Sequence, residues 1–147
     1  MSYQEKRSLV NLISAVAVPG IYFWIIFQDA PQVGLTTDEL LKFWGTTMIT
    51  YIPIAIVARI VIHILFGISN TIITKEKMDK MDERDRIIEL KSKNIGQAIF
   101  AIGLVGAMAT QAMDYSANAL FVTILVGGVI SEIFENSLQL MFYRRGF

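Results

Sequence analysis

Two residues that can carry a charge stand inside an apolar stretch of the chain. Arg59 and His63 lie four residues apart in ARIVIHILFGISN, residues 58–70, so they share one face if the stretch is an α-helix. A later apolar stretch carries Glu132 and Glu135. Arginine and glutamate can form an ion pair, while histidine and glutamate can relay protons or bind a metal. The chemistry that applies depends on whether these stretches lie in water or in lipid.

Four apolar stretches are long enough to cross a membrane. A spanning helix needs about 20 residues to cross about 30 Å of hydrocarbon, and 54% of the 147 residues are hydrophobic, with a mean hydropathy of +0.51. A soluble bundle would show polar faces on each helix, yet ISAVAVPGIYFWIIF in the first stretch has none. That stretch is also longer than the apolar core of a usual signal peptide, so we expect a retained span. The sequence predicts an all-α membrane protein, a bundle of four transmembrane helices in a single domain over 1–147, with spans at about 9–27, 43–73, 95–113 and 117–143.

Basic residues are distributed unequally between the two ends of these spans. Two precede the first span, seven lie in the connector 74–94 and two follow the fourth span, whereas Lys42 alone lies on the opposite side. Because segments rich in Lys and Arg remain in the cytoplasm, we expect the N-terminus, the C-terminus and the connector 74–94 to be cytoplasmic.

The embedded charges are expected to meet at one depth. His63 lies eleven residues before Thr74, and Glu132 lies eleven residues before Tyr143. If those ends are level, both residues lie about 16 Å inward, and Arg59, one turn farther, can reach back towards Glu132. An unpaired charge at the bilayer centre costs at least about 2.5–3.5 kcal/mol, so pairing is favoured. The predicted intramembrane polar cluster comprises Arg59, His63, Glu132, Glu135 and Gln139.

Several functions of this cluster remain open. It can be a structural set of ion pairs that fixes helix register, a proton or ion path, or a metal site formed by His63 with Glu132 and Glu135. The paired Glu-x-x-His motifs of di-iron bundles do not occur. Lipid or small-molecule binding in the same cavity is a further alternative. The chain has no cysteine, no G-x-S-x-G motif and no P-loop, so we expect no catalytic residue, no metal, no cofactor and no enzyme.

The connector contains a helix start. DERD at 82–85 offers Asp82 as an N-cap, with Glu83 and Asp85 in a first turn where negative charge suits the helix dipole. We expect a break near Lys80–Asp82, followed by a helix that starts at Asp82 and continues into the third span. This segment is either a solvated, self-paired connector or a docking surface. The candidate partner contacts are Asp82, Glu83, Arg84, Asp85 and Lys91.

Three segments resemble those of a group of uncharacterised bacterial small integral membrane proteins with four spans. They are the opening SYQEKR, the DERDRIIELKS stretch and the closing FYRRG. The resemblance implies a multi-pass protein of the bacterial cytoplasmic (inner) membrane. Such proteins are often encoded near small helix-turn-helix regulators, which hints at signalling, but the resemblance implies no activity and no functional residue.

The sequence therefore favours a small integral membrane protein that acts as a non-enzymatic signalling or accessory protein. The alternative is a small transporter or proton- or ion-translocating protein working through Arg59, His63, Glu132 and Glu135. The expected partners are the lipid bilayer, a second copy of the chain and a cytoplasmic protein. Zero net charge argues against a nucleic-acid partner.

Overall fold

Four α-helices make up the described part of the chain. The computed structural model describes residues 3–28, 34–74 and 82–145. Each helix is long and apolar enough to cross a membrane, since even the 26 residues of α1 extend about 39 Å. The predicted all-α bundle is confirmed as four packed helices that are each able, by length and composition, to span a membrane. In chain order the helices are α1 (Tyr3–Gln28), α2 (Thr37–Thr74), α3 (Glu83–Ala112) and α4 (Ala117–Arg145).

Capping residues set the starts of α2 and α3, upstream of the predicted apolar spans. Before α2, the Thr36 N–H donates to the Glu39 carboxylate at 2.9 Å, and the Glu39 N–H donates back to the Thr36 hydroxyl at 3.4 Å. Asp82 and Asp85 form the same reciprocal pattern, a capping box, before α3. The predicted helix start at Asp82 and its continuation into the third span are therefore confirmed. Residues 75–81 of the predicted connector, which include the expected break at Lys80, lie outside the described residues.

Contacts between helix ends show that α1 runs antiparallel to both α2 and α4. The ring of Tyr3, at the start of α1, lies 5.5 Å from the ring of Phe66 near the end of α2. Ser8 donates from Oγ to the Gln139 side-chain oxygen, near the end of α4, at 3.0 Å. We call this end of the bundle, which holds the start of α1 and the end of α4, the terminal end. The opposite end, which holds the turn between α3 and α4, is the loop end.

α4 lies at the centre of the bundle and packs against each of the other three helices. Its most extensive contact is with α3, where Gly103 and Gly127 face each other. A Cβ atom added to Gly103 would lie 3.1 Å from the Cα atom of Gly127. Farther towards the terminal end, Ser131 donates from Oγ to the Gly96 carbonyl at 2.8 Å. These small residues let the two backbones approach closely.

The outward faces of the helices are largely apolar. Trp24, Ile49 and Ile102 are among the most exposed side chains. A soluble monomer seldom exposes so much contiguous apolar surface, whereas lipid is the solvent that such faces require. The distribution of exposed residues therefore agrees with a membrane-embedded bundle.

Aromatic side chains fill the bundle interior near the loop end. The rings of Trp44 and Phe121 stack with centroids 5.4 Å apart. Trp44 also donates from Nε1 to the Asn118 side-chain oxygen at 2.6 Å, and the Tyr22 hydroxyl donates to the Thr47 carbonyl at 2.8 Å. Polar groups in lipid need such internal partners. We call Tyr22, Phe23, Trp44, Tyr51 and Phe121 the aromatic cluster.

Candidate polar site inside the bundle

An ion pair joins α2 to the central helix α4. Arg59 donates from Nη2 to Glu132 Oε2 across 2.5 Å. The two side chains are 37% and 33% exposed in the isolated bundle, so each is about two-thirds covered by protein. The contact that the sequence predicted is therefore present, and Glu132 is the glutamate that faces Arg59.

The local helix pattern explains why Arg59 points inward. Ala55, one turn before it, and Asn70, three turns after it, are both buried, so this stripe of α2 faces the bundle. On α4, Asn136 is also buried and donates from Nδ2 to the Glu132 carbonyl at 2.8 Å. The small and polar residues of the two stripes thus mark the faces that meet.

The ion pair lies deep within the bundle. Glu132 lies seven residues before Gln139, or about 10 Å from the Ser8–Gln139 contact at the terminal end. Asn118, at the loop end, lies fourteen residues before Glu132, or about 21 Å away. The pair is therefore separated from both polar ends by helix turns that can cross hydrocarbon.

A polar cavity of about 160 Å³ lies beside the ion pair. His63 and Glu135 line it together with Arg59 and Glu132, so the structure brings four of the five predicted residues to one cavity. Glu135 itself lies against α3, because a Cβ atom on Gly96 would lie 3.1 Å from Glu135 Oε2. The remaining lining residues are Asn11, Ser14 and Asn136.

Gln139 lies nearer the terminal end, in the next polar layer. A smaller cavity of about 50 Å³ is lined by Gln139, Arg7 and Glu89, among other polar residues. Asn11, Glu135 and Asn136 line both cavities, so polar groups continue from the ion pair to the terminal end. We call this set the polar seam, with the residues Ser8, Asn11, Arg59, His63, Glu132, Glu135, Asn136 and Gln139.

Among the members of the polar seam, Asn136 and Ser8 were missed from the sequence. Asn136 lies four residues after Glu132, on the same face of α4, so helical spacing could have found it. Ser8 on α1 donates to Gln139 on α4. Nothing in the sequence indicates this contact, because Ser8 is a single serine in the polar start of α1.

The polar seam does not continue to the loop end in the same form. Beyond the ion pair, the interior is lined by the aromatic cluster, whose Tyr22 hydroxyl and Trp44 indole are already hydrogen-bonded. A third cavity, of about 630 Å³, lies on this side of the pair and is mainly apolar. We call this third cavity the lateral cavity. Arg59 and Glu132 line it as well, so the ion pair lies between a polar cavity and an apolar one.

The five candidate partner contacts fall into two groups at the start of α3. Asp82, Glu83 and Arg84 are exposed. Asp85 is half-buried and closes the capping box, and Lys91 places its Nζ atom 5.6 Å from the centre of the Phe142 ring. All of these residues except Asp85 are therefore accessible to a partner, although Asp82 also caps α3 and Lys91 also contacts Phe142 of α4.

Among residues 3–28, 34–74 and 82–145, no three His, Asp or Glu side chains converge as a metal site. His63, Glu132 and Glu135 share a cavity but do not form such a group. The metal interpretation of these three residues therefore finds no support in their geometry.

No family model, no curated protein and no solved structure matches the chain. The resemblance to small bacterial membrane proteins stays a prediction.

Proposed function

We propose that this chain is a non-enzymatic signalling or accessory protein of a bacterial cytoplasmic membrane. In this proposal the bundle is a scaffold, and the Arg59–Glu132 pair locks α2 onto α4. The first turns of α3 present the contact surface for a cytoplasmic protein.

The observation that carries the proposal is the one-sided form of the polar seam. Polar cavities extend from Arg59 and Glu132 towards the terminal end, while beyond the pair lie the aromatic cluster and a cavity whose walls are mainly apolar. A carrier or channel needs polar access to its site from both sides of the membrane. An ion pair at the closed end of a polar seam is better suited to fixing helix register, which is a well-attested use of buried polar groups.

The start of α3 has the composition of an interaction surface. Ile87 and Leu90 are 52% and 53% exposed, whereas Ile88 on the inner face is fully buried. Exposed apolar residues within a charged segment are typical of sites where proteins associate. We therefore add Ile87 and Leu90 to the proposed contacts Asp82, Glu83 and Arg84.

The proposed topology puts this surface in the cytoplasm, because basic residues are concentrated at the terminal end. The chain has no cysteine, so single cysteines introduced at Arg84 and at Thr36 report one side each. An impermeant thiol reagent applied to intact cells should label Thr36→Cys and leave Arg84→Cys unlabelled. The reverse pattern would overturn the topology.

A second candidate is proton or ion translocation through Arg59, His63, Glu132 and Glu135. The cavities of about 160 and 50 Å³ favour it, because they connect the ion pair with the terminal end through polar residues. Histidine and glutamate in such a position are typical of proton relays.

Proton flux into reconstituted vesicles separates the two candidates. With an imposed proton gradient and an enclosed pH dye, the scaffold proposal expects the parent protein to give no flux above that of empty vesicles. Flux that is present in the parent, persists in Glu83→Gln and disappears in a folded Glu132→Gln variant would establish translocation and contradict the first proposal.

The contact surface has its own test in cells. A photo-crosslinking residue at Ile87 should give a discrete adduct with another protein. The matched control is Ile102, which is 72% exposed but lies within the apolar part of α3, where lipid is expected. Absence of an adduct at Ile87, or the same adduct at both positions, would contradict a contact surface at the start of α3.

A further inference from the structure

The lateral cavity has the size and walls of a small-molecule site. Its volume of about 630 Å³ lies within the roughly 300–1,000 Å³ that is usual for ligand pockets. All four helices contribute to it, and Phe100 is the residue that α3 contributes. The walls are aliphatic and aromatic, and they include Phe23, Met48, Tyr51, Ile52, Phe100 and Leu125.

The rim of this cavity opens towards lipid between α2 and α3. Ile52 and Ile56 on α2 line the cavity and are themselves more than half exposed. Phe100 closes the rim from α3, and Gly128 of α4 forms part of the floor, where an added Cβ atom would lie 3.8 Å from the Phe100 ring. A ligand can therefore reach the cavity from the bilayer without passing through water.

The inner end of the cavity is polar and electrically neutral. Arg59 and Glu132 both line it and are paired with each other. An anionic ligand would compete with Glu132 for the guanidinium, and a cationic ligand would compete with Arg59 for the carboxylate, so the pair favours a neutral ligand. Arginine has five N–H donors, and the hydrogen bond to Glu132 uses the Nη2 atom of Arg59. The guanidinium thus has donor capacity left for a carbonyl oxygen.

The depth of the ion pair favours a membrane-soluble ring over an ordinary glycerolipid as the ligand. The ion pair lies about 10 Å from the Ser8–Gln139 contact at the terminal end and about 21 Å from Asn118 at the loop end. A phospholipid could bring its ester carbonyls to Arg59 only by drawing its head group into hydrocarbon, which is costly. A neutral carbonyl-bearing ring carries no such head group. The rings of Phe23 and Tyr51, 5.4 Å apart, and that of Phe100 suit a flat ring, because aromatic faces and edges pack favourably.

We propose that the lateral cavity binds a lipid-soluble quinone with an apolar tail. One quinone carbonyl accepts a hydrogen bond from the Arg59 guanidinium, the ring lies among Phe23, Tyr51 and Phe100, and the tail leaves between α2 and α3. The proposal concerns binding alone and involves no electron transfer. Quinone binding does not depend on the accessory or translocating function proposed above, because the presence or absence of proton flux does not decide whether the lateral cavity binds a ligand.

Calorimetric titration of the full chain in lipid nanodiscs made from quinone-free lipid tests this proposal. The probe is a naphthoquinone with a decyl tail, and the matched ligand is decylnaphthalene, which has the same ring and tail without carbonyls. The naphthoquinone should bind saturably with one site per chain. Loss of a hydrogen bond to a charged donor should weaken decylnaphthalene about tenfold or more.

A pair of glycine variants tests the location of the site. Gly128→Leu places a side chain in the cavity floor and should abolish saturable binding of the naphthoquinone. Gly45→Leu is the control, because a Cβ atom at Gly45 meets nothing within 4 Å, and it should bind like the parent. Helix content measured by circular dichroism shows whether each variant is folded.

Four results would overturn the proposal. Equal binding of naphthoquinone and decylnaphthalene by the parent would show that no carbonyl is recognised, and this comparison stands even if Gly128→Leu does not fold. Naphthoquinone binding that survives in a folded Gly128→Leu variant would place the site elsewhere. Displacement of the naphthoquinone by an equal concentration of oleic acid, or closure of the cavity by a second copy of the chain, would assign the cavity to a different occupant.

Discussion

Removing Arg59 should harm the fold more than removing Arg59 together with its partner. Arg59→Leu leaves the Glu132 carboxylate inside the bundle without its guanidinium. Arg59→Leu combined with Glu132→Gln removes both charges, and a neutral amide is far cheaper to keep in a low-dielectric interior than a carboxylate. The double variant should therefore be more stable than the single Arg59→Leu variant.

The size of the effect follows from how far the pair is covered. Breaking a fully buried pair costs about 3–5 kcal/mol, whereas polar contacts between membrane helices average about 0.6 kcal/mol and reach about 1.7 kcal/mol. The Arg59 and Glu132 side chains are 37% and 33% exposed in the isolated bundle and border a polar cavity. We therefore expect the single variant to lose about 2 kcal/mol of unfolding free energy and the double variant to recover about 1 kcal/mol of it.

Reversible unfolding in mixed detergent micelles, followed by circular dichroism, measures these free energies. Arg86→Leu is the matched control, because Arg86 is exposed on the first turns of α3, and its loss should change stability by no more than about 0.5 kcal/mol. If Arg59→Leu were as mild as Arg86→Leu, or if the Glu132→Gln change worsened it, the ion pair would not hold α2 to α4.

Three further substitutions test the packing of α3 on α4, the capping of α3 and the hydrogen bond of Trp44. Gly103→Val should destabilise the bundle by about 1–3 kcal/mol through overpacking. The control Gly45→Val should lose at least about 1 kcal/mol less unfolding free energy. Equal losses of the two variants in micelle unfolding would contradict the close approach of α3 and α4. Asp82→Ala should cost about 1 kcal/mol and speed amide hydrogen exchange in the first turn of α3, and unchanged exchange there would count against the capping box. Asn118→Ala should shift the fluorescence of Trp44 by removing its hydrogen-bond acceptor, and an emission spectrum identical to the parent's would mean that the indole has another partner.

The helices and the ion pair were predictable because regular geometry converts residue counts into depth. Arg59 and Glu132 could be matched by counting from the expected ends of their spans, since a helix rises by a constant amount per residue. The start of α3 was predictable for a similar reason, because the capping box at Asp82 is a local pattern that needs no tertiary contact.

Other features depend on which helix faces which, and apolar sequence in a membrane helix says little about that. In water, a helix shows its inner face by hydrophobic periodicity, but lipid accepts apolar residues on every side. The direct opposition of Gly103 and Gly127, and the position of Glu135 against α3 rather than against Arg59, therefore could not be read from one chain. The lateral cavity could not be read from the sequence for the same reason, because it forms where α2 and α3 lie on either side of α4 and leave a gap between them.

In the proposed scaffold, the polar seam is accessible from the terminal end only and closes at the Arg59–Glu132 pair. A cysteine accessibility profile in oriented membrane vesicles tests it most directly, with a small charged thiol reagent applied to each side in turn. Asn136→Cys should react from the terminal side, and Phe121→Cys, in the aromatic cluster, should react from neither side. Reaction of Phe121→Cys with the reagent, or of Asn136→Cys from the loop side, would reveal a water path across the bundle and contradict a polar seam that is closed at the ion pair.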